Sequence, residues 1–407
     1  MKYRLERVLE NMPKALWLLI IGMLVNVTGA SFLWPLNAIY IHDHLGKSLS
    51  VAGIVLMLNS GASVVGNLWG GFLYDKIGGY RSILLGITIS VLALFGLTLW
   101  HGWPHYVFFL IFIGLGSGII FPSMYAMAGS VWKDGGRKAF NAVYVAQNAG
   151  VAIGSALGGF VAFYSFNYIF LANLLMFIAF LFIALFGYRN MAGSQISPTN
   201  VIQERKPLRN KHKFYALMIL CGAYLLGWVG YVQWQSTIAA YTQEVNISLK
   251  QYSVLWTVNG ALIVLAQPLL QWVLRKYSDR LKGQIMTGFV IFIISFGVAG
   301  YSSEFKGFLA AMIILTIGEM LVWPVVPTVA DRLAPRGREG FYQGIVNSTA
   351  TGGRMIGPVL GGVLVDLYGM GILFGFLMVL LVIALILAYF YDVPLKNANQ
   401  EQATKSS

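Results

Sequence analysis

Gly318-Glu319-Met320-Leu321-Val322-Trp323-Pro324 reads like a second copy of Gly116-Ser117-Gly118-Ile119-Ile120-Phe121-Pro122, 202 residues upstream. The spacing recurs on either side of it. Arg137 and Phe140 answer to Arg338 and Phe341, and GVAIGSALGG (150–159) answers to GRMIGPVLGG (353–362). A weaker pair is Asp75-Lys76-Ile77-Gly78-Gly79 with Asp279-Arg280-Leu281-Lys282-Gly283. Offsets of 201 to 204 in a chain of 407 residues describe one unit written twice.

That unit is apolar. Hydrophobic residues make up 57% of the chain and charged ones 11%, against about 25% charged in a soluble domain. Apolar runs of about 20 residues, the length that spans a bilayer, recur throughout. They fall near 14–41, 50–73, 82–100, 106–130, 139–162, 167–188, 214–241, 252–274, 283–302, 308–330, 340–366 and 370–391. The sequence therefore predicts an all-α membrane protein with twelve transmembrane helices in two six-helix bundles. One bundle is 1–188 and the other 214–407 with a short cytoplasmic tail. A cytoplasmic linker at 189–213, basic and carrying Pro198 and Pro207, joins them. Such repeats are common in carriers, where a ligand site forms near the bilayer midplane.

A net charge of +13 would suit a nucleic-acid surface, but its distribution argues otherwise. With the N-terminus inside, 24 of the 28 basic residues fall in cytoplasmic segments; Lys47, Lys250 and Lys306 fall outside and Arg354 lies within a helix. This split follows the positive-inside rule. It places both termini in the cytoplasm and removes nucleic acid from the expected partners. The first apolar stretch is longer than a signal-peptide core and lacks a small-residue cleavage site, so it is read as a span. Cys221 is the single cysteine, which excludes an intrachain disulfide and argues against a structural metal. No HExxH or Walker A pattern occurs, and no segment carries a Ser/His/Asp cluster. No enzyme, catalytic residue, cofactor or metal is expected.

Between the second and third segments stands Gly71-Phe72-Leu73-Tyr74-Asp75-Lys76-Ile77-Gly78-Gly79-Tyr80-Arg81. Its glycines allow close approach and positive φ, and Asp75 can face the N-terminus of a neighbouring helix. The stretch resembles the signature loop of the major facilitator superfamily, Gly-x-Leu-x-Asp-basic-x-Gly, with Gly79 and Tyr80 where further bases are usual. The runs 150–159 and 353–362 are similar to the Gly-x-x-x-Gly-Pro-x-x-Gly-Gly antiporter motif of that family. Small residues four apart also let helices pack closely in lipid. Gly318-Glu319 followed by Ala330-Asp331-Arg332-Leu333-Ala334-Pro335 resembles the bacterial multidrug/proton antiporter branch, whose usual arginine in the fourth segment is missing here. The resemblance covers essentially the whole chain. It implies alternating access of the two halves in a bacterial cytoplasmic membrane. It also implies a conformational switch at Gly71, Asp75, Lys76, Gly78 and Arg81.

Two charges lie near the centre of a segment, Glu319 in the tenth and Arg354 in the eleventh. A charge at that depth costs about 2.5–3.5 kcal/mol on insertion scales, which makes it a functional candidate. Gln343, Asn347, Thr351 and Arg354 share one helical face, while Gly353, Gly357 and Gly361 occupy another. The candidate ligand-contacting residues are Asn37, Tyr144, Asn148, Tyr231, Trp234, Gln235, Asn259 and Asn347, with Glu319 and Arg354 as the proton-coupling pair. The same amides and aromatics would serve equally well to join helices or mark membrane interfaces. The reading is a monomeric secondary transporter, surrounded by membrane lipids, that exports amphipathic or hydrophobic small molecules against proton entry. The alternative is a facilitator or exporter of a sugar, amino acid, lipid or other metabolite.

Overall fold

The structure, a computed structural model, describes residues 12–33, 36–37, 40–47, 49–191, 211–266 and 280–397. Trp34, Pro35, Gln267, Pro268, Asp279 and most of the expected linker lie outside the described residues.

Among the described residues a helix stands at each of the twelve expected positions. The first six are α1 (Lys14–Leu33), α2 (Leu49–Ile77), α3 (Gly79–Leu99), α4 (His105–Val131), α5 (Arg137–Tyr164) and α6 (Phe166–Gly187). The seventh position holds α7 (Lys211–Tyr231), a 3-10 turn over Val232–Gln235, and α8 (Thr237–Glu244). Then come α9 (Leu249–Leu265) and α10 (Leu281–Gly300). The tenth position is split at Trp323-Pro324 into α11 (Phe305–Val322) and α12 (Val325–Leu333). The last two positions belong to α13 (Glu339–Phe390), which is broken at Gly369, where φ is 79°. Glycine adopts that left-handed conformation without steric cost.

Among the described residues nine stretches of helix are long and apolar enough to cross a membrane, and the last, Glu339–Asn397, is long enough for two spans. The remaining positions are α5, which carries the polar stripe Asn141, Tyr144, Gln147 and Asn148, and the shorter α9. Large apolar side chains such as Leu92, Leu175, Phe186, Val359 and Val379 lie exposed. A soluble monomer rarely leaves such surface open; acyl chains cover it in a bilayer.

By contact the chain divides into two units, Met1–Val201 with Pro335–Ser348, and Ile202–Ala334 with Thr349–Ser407. In the first unit α4 lies along α2 and α3, and α1 lies along α5 and α6. Glycines make these contacts close. A Cβ on Gly66 or Gly118 would strike the backbone of the facing helix, and Gly150, Gly154 and Gly158 of α5 leave equally little room against α1. In the second unit Gly353, Gly357 and Gly361 of α13 meet α7 and the turn that follows it. The duplication in the sequence is thus repeated in packing. The fifth helix sits on the first as the eleventh sits on the seventh.

Gly361 leaves space that Gln233 fills. This side chain is fully buried; Nε2 donates to the carbonyls of Val229 (3.0 Å) and Gly357 (2.7 Å), and Oε1 accepts from the Thr237 hydroxyl (2.7 Å). It satisfies polar groups where the chain leaves regular helix between α7 and α8. At the start of α9 a capping box forms. Ser248 Oγ accepts from the Gln251 N–H (3.3 Å) and Gln251 Oε1 accepts from the Ser248 N–H (3.0 Å). Ser248→Ala is expected to cost about 1 kcal/mol, read as a lower midpoint in thermal unfolding of the purified protein.

Candidate functional site

Three rows of side chains at helical spacing meet in the second unit. α7 presents Tyr224, Trp228 and Tyr231; α9 presents Tyr252, Trp256 and Asn259; α11 presents Thr316 and Glu319, with Trp323 just past its end. Residues three or four apart share a helix face, so each row aims its groups together.

Glu319 is 3% exposed. Its Oε2 accepts from the Tyr231 hydroxyl at 3.1 Å and from Asn259 Nδ2 at 2.8 Å. Asn259 Nδ2 also donates to Thr316 Oγ1 (2.9 Å), whose own proton goes to the Met312 carbonyl (2.7 Å). These two donors to Oε2 are neutral. The Tyr231 hydroxyl can reverse and accept from a protonated Glu319, so this contact survives in either charge state.

An aromatic block surrounds the acid. Trp228 and Trp323 stack with centroids 4.6 Å apart and planes inclined by 6°. Tyr224 and Tyr231 meet both indoles edge-on at 5.3 to 6.2 Å. The Arg354 guanidinium lies 4.9 Å over the Trp228 ring and donates to Thr351 Oγ1 at 3.2 Å. The acid therefore touches the block through Tyr231 and the guanidinium touches it through Trp228.

Both helices that build the block are interrupted beside it. Tyr231 is the last residue of α7, and Trp323 follows the last residue of α11. Pro324 has no N–H to continue the helical ladder beyond Trp323. Broken helices at membrane depth are characteristic of carrier ligand sites.

Of the residues expected at the site, Tyr231, Asn259 and Glu319 come together, and Arg354 joins through Trp228. Trp234 and Gln235 lie elsewhere. The expectation ran one helix through them, whereas the 3-10 turn advances about 120° per residue. Trp234 is fully buried beside Phe296 and Phe308 (6.4 Å each), its carbonyl accepting from the Tyr252 hydroxyl, and Gln235 is exposed. In the first unit, Asn37 Oδ1 accepts from the Tyr106 hydroxyl at 2.6 Å, both residues being buried. Tyr144 is buried there too, its carbonyl accepting from Asn148 Nδ2 at 2.9 Å. Asn347, grouped with the same unit, donates to the Gln343 carbonyl at 2.9 Å. Tyr224, Tyr252, Thr316 and Trp323 were missed. Their spacing of three, four or seven residues from Trp228, Asn259 and Glu319 was the available signal.

The loop between α2 and α3 is a second locus. Gly78, with φ 85°, turns the chain in a single residue. Asp75 Oδ1 accepts from the Gly340 N–H (2.8 Å) and Oδ2 from the Phe341 N–H (2.9 Å), at the first turn of α13. A Cβ on Gly71 would collide with the Gly340 carbonyl, so glycine is what lets that turn come close. The carboxylate meets the positive end of the helix dipole. The Lys76 ammonium lies 5.6 Å from the Phe72 ring, and Arg81 is exposed.

Comparison with known proteins agrees with this architecture. A family model described as Major Facilitator Superfamily matches residues 19–283 and 223–406. The MFS-type transporter YttB of Bacillus subtilis (strain 168) is 61% identical over 398 residues, covering 97% of this chain and 100% of that protein. The multidrug resistance protein MdtH of Salmonella typhimurium (strain LT2) is 24% identical over 357 residues, 86% of each chain. Among solved structures, the human organic anion transporter MFSD10 (TETRAN) superposes with a TM-score of 0.75 at 13% identity, over 93% of this chain and 100% of that one. That likeness is one of fold. Twelve helical positions in a duplicated pattern, the charged loop after α2 and a family match along nearly the whole length lead to one conclusion: the chain belongs to the major facilitator superfamily and is a multi-pass secondary transporter.

Proposed function

We propose that this chain is a proton-coupled carrier of amphipathic or hydrophobic small molecules, with Glu319 as the proton-exchanging group and the adjoining aromatic block as part of the ligand site. The observation that carries the reading is a carboxylate 3% exposed and held by neutral donors from two other helices. Ionisable side chains inside a membrane protein are costly and mark ion or substrate pathways. The working cycle is alternating access of the two repeats. The proposal places the protein in a cytoplasmic membrane, both termini inside, as a monomer among lipids. Arg354 belongs to the same cluster as the cation that balances the acid. Asn37, Tyr144, Asn148 and Asn347 are proposed as further polar groups that contact a ligand. Multidrug-type efflux against proton entry is a second reading, favoured by the name of MdtH.

The test is flux of fluorescent amphiphiles across proteoliposome membranes, with an imposed pH gradient and again after a protonophore collapses it. Coupling predicts at least about a tenfold difference, or 1.4 kcal/mol of driving force. Equal, saturable flux under both conditions would reassign the chain as a facilitator, the metabolite reading.

A further inference from the structure

We propose that Arg354 is the group that receives the ligand's polar end, and that this end is an anion: a carboxylate, sulfonate or phosphate on an amphipathic body. The inference rests on the cluster around Glu319 being the ligand site, and it names the class of molecule that site takes.

Exposure is the first argument. Arg354 is exposed whereas Glu319 is 3% exposed. The charge offered to an incoming molecule is therefore positive.

The aromatic faces are the second. A cationic ligand needs an open ring face. Trp228 carries both the stacked Trp323 ring and the guanidinium, 4.9 Å over its centroid. Phe292 lies 5.4 Å from Trp323, tilted against it. On this stacked pair an arriving ammonium group would meet Arg354 already seated over Trp228.

Direction is the third. Ile356, Val359, Val363 and Leu367 are the exposed aliphatic side chains of α13 within the four turns after Arg354. At about 100° per residue they centre ~180° around the helix from Arg354. They form the lipid face, so Arg354 opens onto the side turned away from lipid. Thr351, which holds the guanidinium, is buried on that same side, ~60° from Arg354 by the same rotation.

Preorganisation is the fourth. The guanidinium is held by two contacts, its carbon 4.9 Å from the Trp228 ring centroid and one N–H donating to Thr351 Oγ1. Guanidinium N–H groups fork onto carboxylate or phosphate oxygens. Holding the group in advance lowers the entropy that binding has to spend.

A consequence for coupling follows. Glu319 meets the aromatic block through Tyr231, and Arg354 meets it through Trp228, whose ring lies 5.4 Å from that of Tyr231. Tyr231 of α7 and Asn259 of α9 face Glu319, Thr316 of α11 stands behind Asn259, and Arg354 of α13 is the cation of the block. An anion seated on Arg354 offsets that positive charge, so ligand and proton assist one another's binding and move in the same direction. The coupling is reciprocal.

Equilibrium binding to the purified full-length protein in detergent, with no gradient present, tests the proposal separately from proton coupling. Tritiated 1-naphthaleneacetate is compared with tritiated 2-(1-naphthyl)ethyltrimethylammonium, which shares the ring and reverses the charge. Decanoate and 1-naphthalenesulfonate, as competitors, widen the anion set. The wild type is expected to bind the acid at least about tenfold tighter than the ammonium. Arg354→Gln should weaken acid binding by at least about tenfold and Arg354→Lys should restore part of it. Tighter binding of the ammonium, no saturable binding of any of the three anions, or unchanged acid affinity in Arg354→Gln would overturn the proposal. If Arg354→Gln fails to fold, the wild-type preference between the two naphthyl probes decides. Charge-selective anion binding in a protein whose flux ignores the pH gradient would sink the proton-coupled reading and leave this one standing.

Discussion

Glu319→Gln is expected to lower gradient-driven transport by at least about a hundredfold, or ~2.7 kcal/mol at 1.4 kcal/mol per decade. Glutamine has the same length and keeps one oxygen to accept from Tyr231 and Asn259, the two donors that hold Glu319 in place. It cannot bind and release a proton. The loss should therefore appear in net flux driven by a pH gradient and spare counterflow, in which labelled ligand exchanges for unlabelled with no net proton movement. Gel filtration and thermal unfolding of the variant should match the wild type, because the replacement removes a buried charge and opens no cavity. Parallel loss of net flux and counterflow would make Glu319 a ligand contact instead of a proton carrier. Full gradient-driven activity would remove it from the mechanism.

Asp75→Ala carries the next largest effect. The carboxylate bonds two successive N–H groups, of Gly340 and Phe341, in the first turn of α13. Hydrogen bonds to a charged partner contribute about 1.5–3 kcal/mol each, and two that share one partly exposed carboxylate add to less than twice that. A central figure of about 3 kcal/mol corresponds to roughly a hundredfold loss of protection at those amides. Hydrogen exchange over residues 339–345 reads it directly, and transport should fall with it if docking of this turn belongs to the cycle. Asp75→Asn, with one neutral acceptor, should fall between the two. Wild-type exchange rates in Asp75→Ala would mean that Gly71 and its close contact hold the turn unaided.

What was readable in advance tracks how local its cause is. The repeat, the spans and the glycine rows rest on hydropathy and on spacing within one helix, and each has a counterpart in the structure. Asp75 at a helix N-terminus was legible because a short acid between glycines has few other uses. Glu319 stood out through the rarity of an acid inside an apolar segment. The position of Trp234 was not legible. Val232-Gln233-Trp234-Gln235 contains no proline or glycine to announce a 3-10 turn, and that turn is held by Gln233 reaching across to the Gly357 carbonyl, a partner 124 residues away. The Trp228–Trp323 stack likewise depends on how α7 packs beside α11, and no single-helix periodicity contains it. Nor did the sequence tell the two midplane charges apart. Burial of Glu319 and exposure of Arg354 follow from what each neighbouring helix places against them.

The interruptions after Tyr231 and at Trp323-Pro324 have a mechanical consequence. In a chain that reverses at every span, the seventh and tenth helices run in opposite directions. Their breaks nonetheless meet at one level, the Trp323 ring lying 5.6 Å from that of Tyr231. α8 and α12 therefore lead away from a shared break in opposite directions, and neither is joined by unbroken helix to Tyr231 or to Glu319.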